Sequence, residues 1–420
     1  MIEDNKNNSN SNNDSLLQIK PDNLKKRIDK GEDIFILDVR TPEEHKSWKI
    51  SYDRYQDSSV IPIDALSSAD SLKQIPKEKE IVTFCGHGNR SMAAAKVLSE
   101  LGYNAKSIVG GLDGWNSVYD IASISDRDSS VRIWQIRRIS KGCMSYMVAS
   151  AHDKSAIVID ATCEIDKAIS KIVNENDLHI TKLIDTHMHA DHLSGTTRLA
   201  KKYGADVYIS SLEEYNTKNG TEVMTFKLIR DGNIIQIGDG IVLEAIHTPG
   251  HTNGSMSFRL QNEINKTKTK TKTTTNNSNN VDKDNNNHNN YLFTGDTLFV
   301  DGIGRPDLHN KAEEFTRNLF NTYHQKILNL PDETIILPAH FGSSFEHQKL
   351  ISNTINSIKQ KMSLMSASEA EFIKFVTAST PAAQPMNYEE IININKNMIL
   401  CDTIEQKDIE AGPNACGIRA

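Results

Sequence analysis

The sequence predicts two folded units in series. The first is an α/β unit with a largely parallel sheet, and the second is a unit whose strands feed a histidine-rich loop. Three observations carry this reading. The chain has 420 residues, too many for one ordinary domain of about 150 residues. Strand-like, loop and helix-like stretches alternate in its first part. Six of its 14 histidines fall in three short stretches of the second unit.

Residues 1–15 are Asn/Ser-rich and are expected to form a disordered leader. The first unit is placed at 16–125. Ile34–Val39 and Ile81–Phe84 read as apolar strands, and Met92–Leu101 as a helix ended by Gly102. A polar stretch at Asp126–Ser130 marks the linker. The second unit is placed at 131–350, with strands at Ser145–Ala149, Ala156–Ile159 and Ile180–Thr186. Between the strand-like Ser255–Leu260 and Tyr291–Asp296 lies a polar Asn/Thr/Lys tract, 262–290. It has almost nothing apolar to bury and is expected as a disordered insert between neighbouring strands, because loop closure costs little more as a loop lengthens. Phe315, Leu319, Phe320, Tyr323 and Ile327 follow helical spacing up to Pro331. Residues 351–420 form a C-terminal extension without a readable role.

Net charge is −7, so bulk charge attracts neither nucleic acid nor an anionic membrane. No apolar run approaches the roughly 20 residues of a membrane span. The five cysteines are few and irregularly spaced, which argues against a disulfide scaffold and for a reducing compartment. Cys143 and Cys163 are expected as inert core thiols and Cys416 as an incidental surface thiol. The N-terminus has neither the apolar core of a secretory signal nor an Arg-rich import character, and the cytoplasm is the expected location.

In the first unit, Cys85-Gly86-His87-Gly88-Asn89-Arg90-Ser91 follows a buried strand and opens a helix. Such a turn points backbone N–H groups at the sulfur, while the helix N-terminus and Arg90 add positive potential. Cys85 is therefore expected to be a thiolate nucleophile able to carry a sulfane sulfur. Only four residues separate Cys85 from Arg90, one fewer than a phosphatase loop uses to enclose phosphate.

In the second unit, Thr186-His187-Met188-His189-Ala190-Asp191-His192 leaves a strand; His251, Asp296 and His340 lie at further strand ends. Imidazole and carboxylate together suit Zn, Fe or Mn, and the lack of a thiolate in the set disfavours a structural zinc knot. Arg305 and Asp307 follow soon after Asp296, and an ion pair between them would hold the metal's mouth, with direct substrate contact as the weaker alternative. His247 precedes a Pro-Gly turn and is expected to support it.

These motifs carry resemblances. Cys85 to Ser91, with Leu37–His45 and Gly110–Trp115, resembles a rhodanese domain. His187, His189, Asp191, His192, His251, Asp296 and His340 resemble the ligand set of the metallo-β-lactamase fold. The implied architecture is an α/β rhodanese domain followed by an αββα metallo-β-lactamase sandwich. The run Leu292–Phe299 continuing into Gly302–Leu308 is similar to the persulfide dioxygenase group. That resemblance implies a facial triad of His187, His251 and Asp296 on Fe(II), with His189, Asp191, His192 and His340 supporting it or, alternatively, binding a second metal. It implies oxidation of glutathione persulfide or another small persulfide by O2 to sulfite, with Cys85 and Arg90 catalysing sulfur transfer to or from sulfite and thiosulfate. A homodimer, and a mitochondrial location despite the missing import signal, are compatible with it. Two other readings stand beside it: a dinuclear Zn glutathione-thioester hydrolase of glyoxalase II type, and a non-catalytic sulfane-sulfur carrier.

Overall fold

A computed structural model of the chain describes residues 14–50, 58–124, 130–219, 225–262, 290–308, 311–342, 345–382, 384–404, 409–410, 412 and 414–420. The expected linker 126–130, apart from Ser130, most of the 1–15 leader and the interior of the 262–290 tract lie outside these residues.

The first sheet is built from β1 (Gln18–Ile19), β2 (Ile34–Asp38), β3 (Ser59–Val60), β4 (Glu80–Phe84) and β5 (Ala105–Ile108), in the order β1-β5-β4-β2-β3. All its pairings are parallel. Around it lie α1 (Pro21–Asp29), α2 (Pro42–Ser47), α3 (Ala69–Leu72), α4 (Asn89–Glu100) and α5 (Gly111–Trp115). Successive side chains of a strand point to opposite faces, and the sheet is apolar on both. Leu37 and Ile81 pack with Ala94, Ala95 and Leu98 of α4. Ile34, Ile36, Val82 and Phe84 pack on the other side with Leu24 of α1 and Trp115 of α5.

The second unit begins earlier than its sequence suggests. β6 (Tyr119–Ile124), expected as the tail of the first unit, pairs antiparallel with β7 (Val131–Arg138). It is the edge of a seven-stranded sheet completed by β8 (Met144–Ser150), β9 (Ser155–Ile159), β10 (His179–Ile184), β11 (Asp206–Ser210) and β12 (Phe226–Ile229). A six-stranded sheet follows. It contains β13 (Ile234–Gly238), β14 (Ile241–His247), β15 (Met256–Asn262) and β16 (Tyr291–Gly295), then β18 (Ile335–Pro338) and β19 (Asn353–Thr354). β17 (Gly302–Gly304) stands apart and pairs with the C-terminal β20 (Gly417–Arg419). β15 and β16, which flank the polar tract, are neighbours through Phe258↔Phe293 and Leu260↔Tyr291.

The two large sheets share one core. Met144, Tyr146, Val148, Ile157 and Ile159 meet Leu243, Phe258 and Phe293 between them, with the Tyr146 and Phe293 rings 5.0 Å apart. Met147, Ala149 and Val158 alternate onto the outer face, under α6 (Asp166–Asn176) and α7 (Thr196–Tyr203). The outer face of the other sheet is covered by α8 (Ala312–Thr322), α9 (Ile355–Lys361) and α10 (Glu369–Ser379), through Leu319, Ile358 and Phe372. Helix, sheet, sheet, helix is the layer order. α11 (Tyr388–Lys396) follows in the C-terminal extension. Among the described residues no helix is long and apolar enough to cross a membrane.

The units are locked by charge. Asp120 of β6 is fully buried and accepts from Lys25 of α1 at 2.7 Å and from Arg137 of β7. Trp48 donates its indole N–H to Ser140 O at 3.1 Å across the same junction. One cysteine expectation is overturned here: Cys163 is not a free core thiol but is disulfide-bonded to Cys401, 238 residues away. Local spacing carries no signal for such a pair.

Candidate functional site

The metal-ligand candidates all follow strands of the sandwich. β10 leads into Asp185-Thr186-His187, β14 into the turn holding His251, β16 into Asp296, and β18 into His340. Strand ends of both sheets therefore empty into one place. Gly295 is required there: its φ is +53°, and a Cβ would lie 2.5 Å from Thr186 Oγ1.

His187, His251 and Asp296 form a buried group with one ligand atom from each within 4.8 Å of the others. His187 Nε2 and His251 Nε2 lie 3.8 and 3.6 Å from Asp296 Oδ2. Among the described residues none of these three atoms has a hydrogen-bond partner. Such an arrangement is costly for buried polar atoms unless something else satisfies them, and a cation held by two imidazoles and a carboxylate would do so. The opposite ring nitrogens are fixed. His187 Nδ1–H donates to Thr186 Oγ1 (2.8 Å), whose hydroxyl donates to Asp160 Oδ2 (3.0 Å). His251 Nδ1–H donates to Arg305 O at 2.8 Å. Each bond keeps the Nε2 lone pair free for a metal. Burial, with the neighbouring His189 and His251, pushes His187 well below the ordinary imidazole range, and burial also lowers His251. Neutral imidazole is the form that ligates. The residues present fit a metal.

The other four expected residues are brought alongside in two ways. His340 donates from both nitrogens, Nδ1 to Asp296 Oδ1 (2.6 Å) and Nε2 to Asp191 Oδ2 (2.9 Å). Against the effect of burial, these two carboxylates hold it well above the usual imidazole range. His192 Nδ1–H donates to Asp191 Oδ1 at 3.0 Å, leaving its Nε2 unpartnered. His189 lies between His187 and His192, its ring centroid 4.3 and 4.2 Å from theirs. Its Nε2 is 3.3 Å from Asp160 Oδ1, in a group with Asp160 and Asp185, and among the described residues neither ring nitrogen has a hydrogen-bond partner.

Sequence reasoning missed several participants. Cys143, expected in apolar surroundings, places Sγ 3.4 Å from Asp191 Oδ2 and groups with Asp191, His192 and His340. The cluster therefore does include a thiol, contrary to expectation. Its cause is long-range pairing: Cys143 forms an isolated bridge with His340 at the β7–β8 turn. Cys416, expected at the surface, is fully buried between Ala190 and Leu308. Asp160 was readable only as a carboxylate ending an apolar strand; its φ of +52° is the strained geometry common at functional positions.

Arg305 and Asp307 form a bidentate pair, 2.7 Å in both contacts. The guanidinium is fully buried and also donates to Pro381 O and Ala415 O, so it braces the loop after Asp296. His247 donates Nε2–H to Asn253 O across its Pro-Gly turn. A cleft of about 260 Å³ opens beside His340, lined in part by Lys141, Phe299, Phe341, Ile418 and Arg419.

In the first unit the Cys85 loop turns as expected. Sγ accepts N–H from Gly88 (3.1 Å) and Ser91 (3.4 Å). Gly111 (φ +59°) lets α5 press against this loop: a Cβ there would lie 2.3 Å from Cys85 O. Arg90 is gripped at 2.8 and 2.6 Å by Glu44 of α2, and its hydrogen bonds hold the Glu44 carboxyl down at about 2. His87 pairs with Asp113 at 2.5 Å and faces solvent.

Residues 20–118 match the rhodanese-like domain, and residues 141–266 match the metallo-beta-lactamase superfamily. The chain joins a rhodanese domain to a metallo-beta-lactamase domain. Among similar proteins, a probable polyketide biosynthesis zinc-dependent hydrolase of Bacillus velezensis is 28% identical over 51% of this chain and 79% of its own length. A mitochondrial persulfide dioxygenase of Bos taurus is 28% identical over 56% of this chain and 76% of its own. The crystal structure of a metallo-beta-lactamase from Staphylococcus aureus subsp. aureus COL is 28% identical, with a TM-score of 0.52 over 64% of this chain and 73% of that one. A metal, zinc or iron, goes with this fold family.

Proposed function

We propose that the chain is a sulfur-metabolism enzyme whose metallo-beta-lactamase domain oxidises glutathione persulfide with O2 and water to sulfite and glutathione at one Fe(II). The observation that carries this reading is the group of three unpartnered buried atoms, His187 Nε2, His251 Nε2 and Asp296 Oδ2. Two imidazoles and a carboxylate are the donor set of non-haem iron oxygenases, which keep positions open for O2 and substrate. Bound there, Fe(II) would supply the one-electron chemistry that brings O2 to the persulfide sulfur.

Two of the surrounding residues favour a single metal, while His192 Nε2 and both ring nitrogens of His189 stay unpartnered among the described residues and would suit a second one. Both nitrogens of His340 are occupied by carboxylates, and Asp191 is held from two sides by His340 and His192. In this state they orient Asp296 rather than offer lone pairs to a second ion. The cleft beside His340 carries Lys141 and Arg419 together with Asp301, and the two cations could face an anionic persulfide. The similarity to the Bos taurus persulfide dioxygenase and the rhodanese domain on the same chain agree with a sulfane-sulfur substrate.

In the rhodanese domain, Cys85 would accept a sulfane sulfur, with the loop N–H groups of Gly88 and Ser91 stabilising the sulfur anion. Sulfite made in the second domain is then a natural acceptor, giving thiosulfate: the persulfide S–S bond at Cys85 breaks, a sulfur–sulfur bond to sulfite forms, and the thiolate leaves.

The competing reading is a zinc-dependent hydrolase. It is favoured by the second buried group, Cys143, Asp191, His192 and His340, and by the similarity to the Bacillus velezensis protein. Oxygen uptake on glutathione persulfide, set against hydrolysis of a glutathione thioester, separates them. O2 consumption with sulfite formation supports the oxygenase; thioester cleavage without O2 uptake refutes it.

A further inference from the structure

We propose that Asn395, on α11 of the C-terminal extension, is a positioning residue for the metal centre. It lies far outside both matched domains. It is 6% exposed. Its Nδ2 donates to the carbonyl oxygens of His189 and His192, both at 2.9 Å, and its Oδ1 accepts the N–H of Ser194 at 2.9 Å. One carboxamide thus binds three backbone groups of the irregular segment between β10 and α7, the segment that also carries His187 and Asp191. Buried backbone groups in a loop have no ladder to satisfy them. Asn supplies two donors and an acceptor at this reach, whereas Asp would set a carboxylate against two carbonyls.

α11 is itself fastened to that segment. Ile391 and Ile394 pack with Leu193 and Cys163. Cys401, just beyond the helix, is disulfide-bonded to Cys163, whose N–H donates to Leu193 O at 3.0 Å. Glu410 accepts the N–H of Leu193 at 2.5 Å while paired with Arg138. The extension therefore forms a clamp over the loop bearing His187, His189, Asp191 and His192, and the disulfide ties the clamp down. Second-layer contacts of this kind change metal affinity by about 10–100-fold.

This inference rests on the reading of His187, His251 and Asp296 as a metal centre, but not on the identity of the substrate. The test loads the full chain with Co(II) and follows its visible spectrum and its rate of loss to a chelator. The chains compared are wild type, Asn395→Asp, Asn395→Ser and Cys401→Ser, with circular dichroism as the check on folding. Folded Asn395→Asp or Asn395→Ser is expected to lose Co(II) about 10–100-fold faster with altered ligand-field bands. Cys401→Ser should shift the rate in the same direction by less. A merely structural asparagine would lower the melting temperature and leave the spectrum alone. Wild-type spectra and release rates within twofold in both Asn395 variants overturn the proposal. Failure of the wild-type chain to take up Co(II) overturns the metal centre as well.

Discussion

Replacing Asp191 by Asn separates the one-metal and two-metal accounts. In the structure Asp191 accepts from His192 Nδ1 at 3.0 Å and His340 Nε2 at 2.9 Å, and it is 2% exposed. Those two imidazoles hold it well below the ordinary carboxylate range, despite burial. Asn keeps the volume and loses the charge. His340 then faces a carboxylate only at Asp296, and breaking one side of a buried charged pair costs about 3–5 kcal/mol. At roughly 2–4 °C per kcal/mol for a domain of this size, the melting temperature should fall on the order of 10 °C. Because Asp191 supports the triad without belonging to it, metal stoichiometry should stay at one per chain, with affinity about 10–100-fold weaker. The assay is metal analysis after dialysis, together with chelator competition. A wild-type content of two that falls to one in Asp191→Asn would refute the reasoning, since Asp191 would then be a ligand.

Other perturbations test separate parts. Gly295→Ala should drive a Cβ to 2.5 Å from Thr186 Oγ1, displacing the hydroxyl that fixes His187; metal affinity should drop while sulfur transfer at Cys85 is unchanged. Glu44→Gln releases Arg90 from its bidentate grip; sulfurtransferase kcat/KM should fall about tenfold, the effect of one charge-assisted contact, with persulfide oxidation retained. Asp120 is lowered to about 2: burial opposes the shift, while Lys25 and Arg137 outweigh it. Its folded value lies below its unfolded one, so it stabilises above the ordinary value of 3.8 and that contribution is lost as pH falls towards 2. About 2 kcal/mol is at stake; in acid titrations of stability Asp120→Asn should lack this loss, and at neutral pH it should be less stable.

Much of the fold lies in local pattern. Ile34–Asp38, Glu80–Phe84 and Met144–Ser150 are apolar runs that stay strands because both faces are buried. All seven ligand-type residues of the sandwich follow strands, so the sequence could name them without knowing the sheet order. What pattern could not give was pairing across distance. β6 reads as the end of one unit and becomes the edge of the next, because its partner β7 lies beyond a linker. Cys143 enters the cluster only through its bridge to His340. Asn395 bonds to a loop some 200 residues earlier, and Cys401 to Cys163 ahead of α6; nothing near either residue marks these contacts. The candidate ligands were therefore legible in the sequence, and the groups that contact them across distance were not.

The most direct test of the central claim is to purify the chain without oxygen, load it with Fe(II), count the metal, and measure sulfite from glutathione persulfide with and without O2. The account predicts one iron per chain and sulfite that appears only when O2 is admitted, with both lost in His251→Ala. Fully active material holding two zinc ions, or product formed equally well without O2, would contradict it.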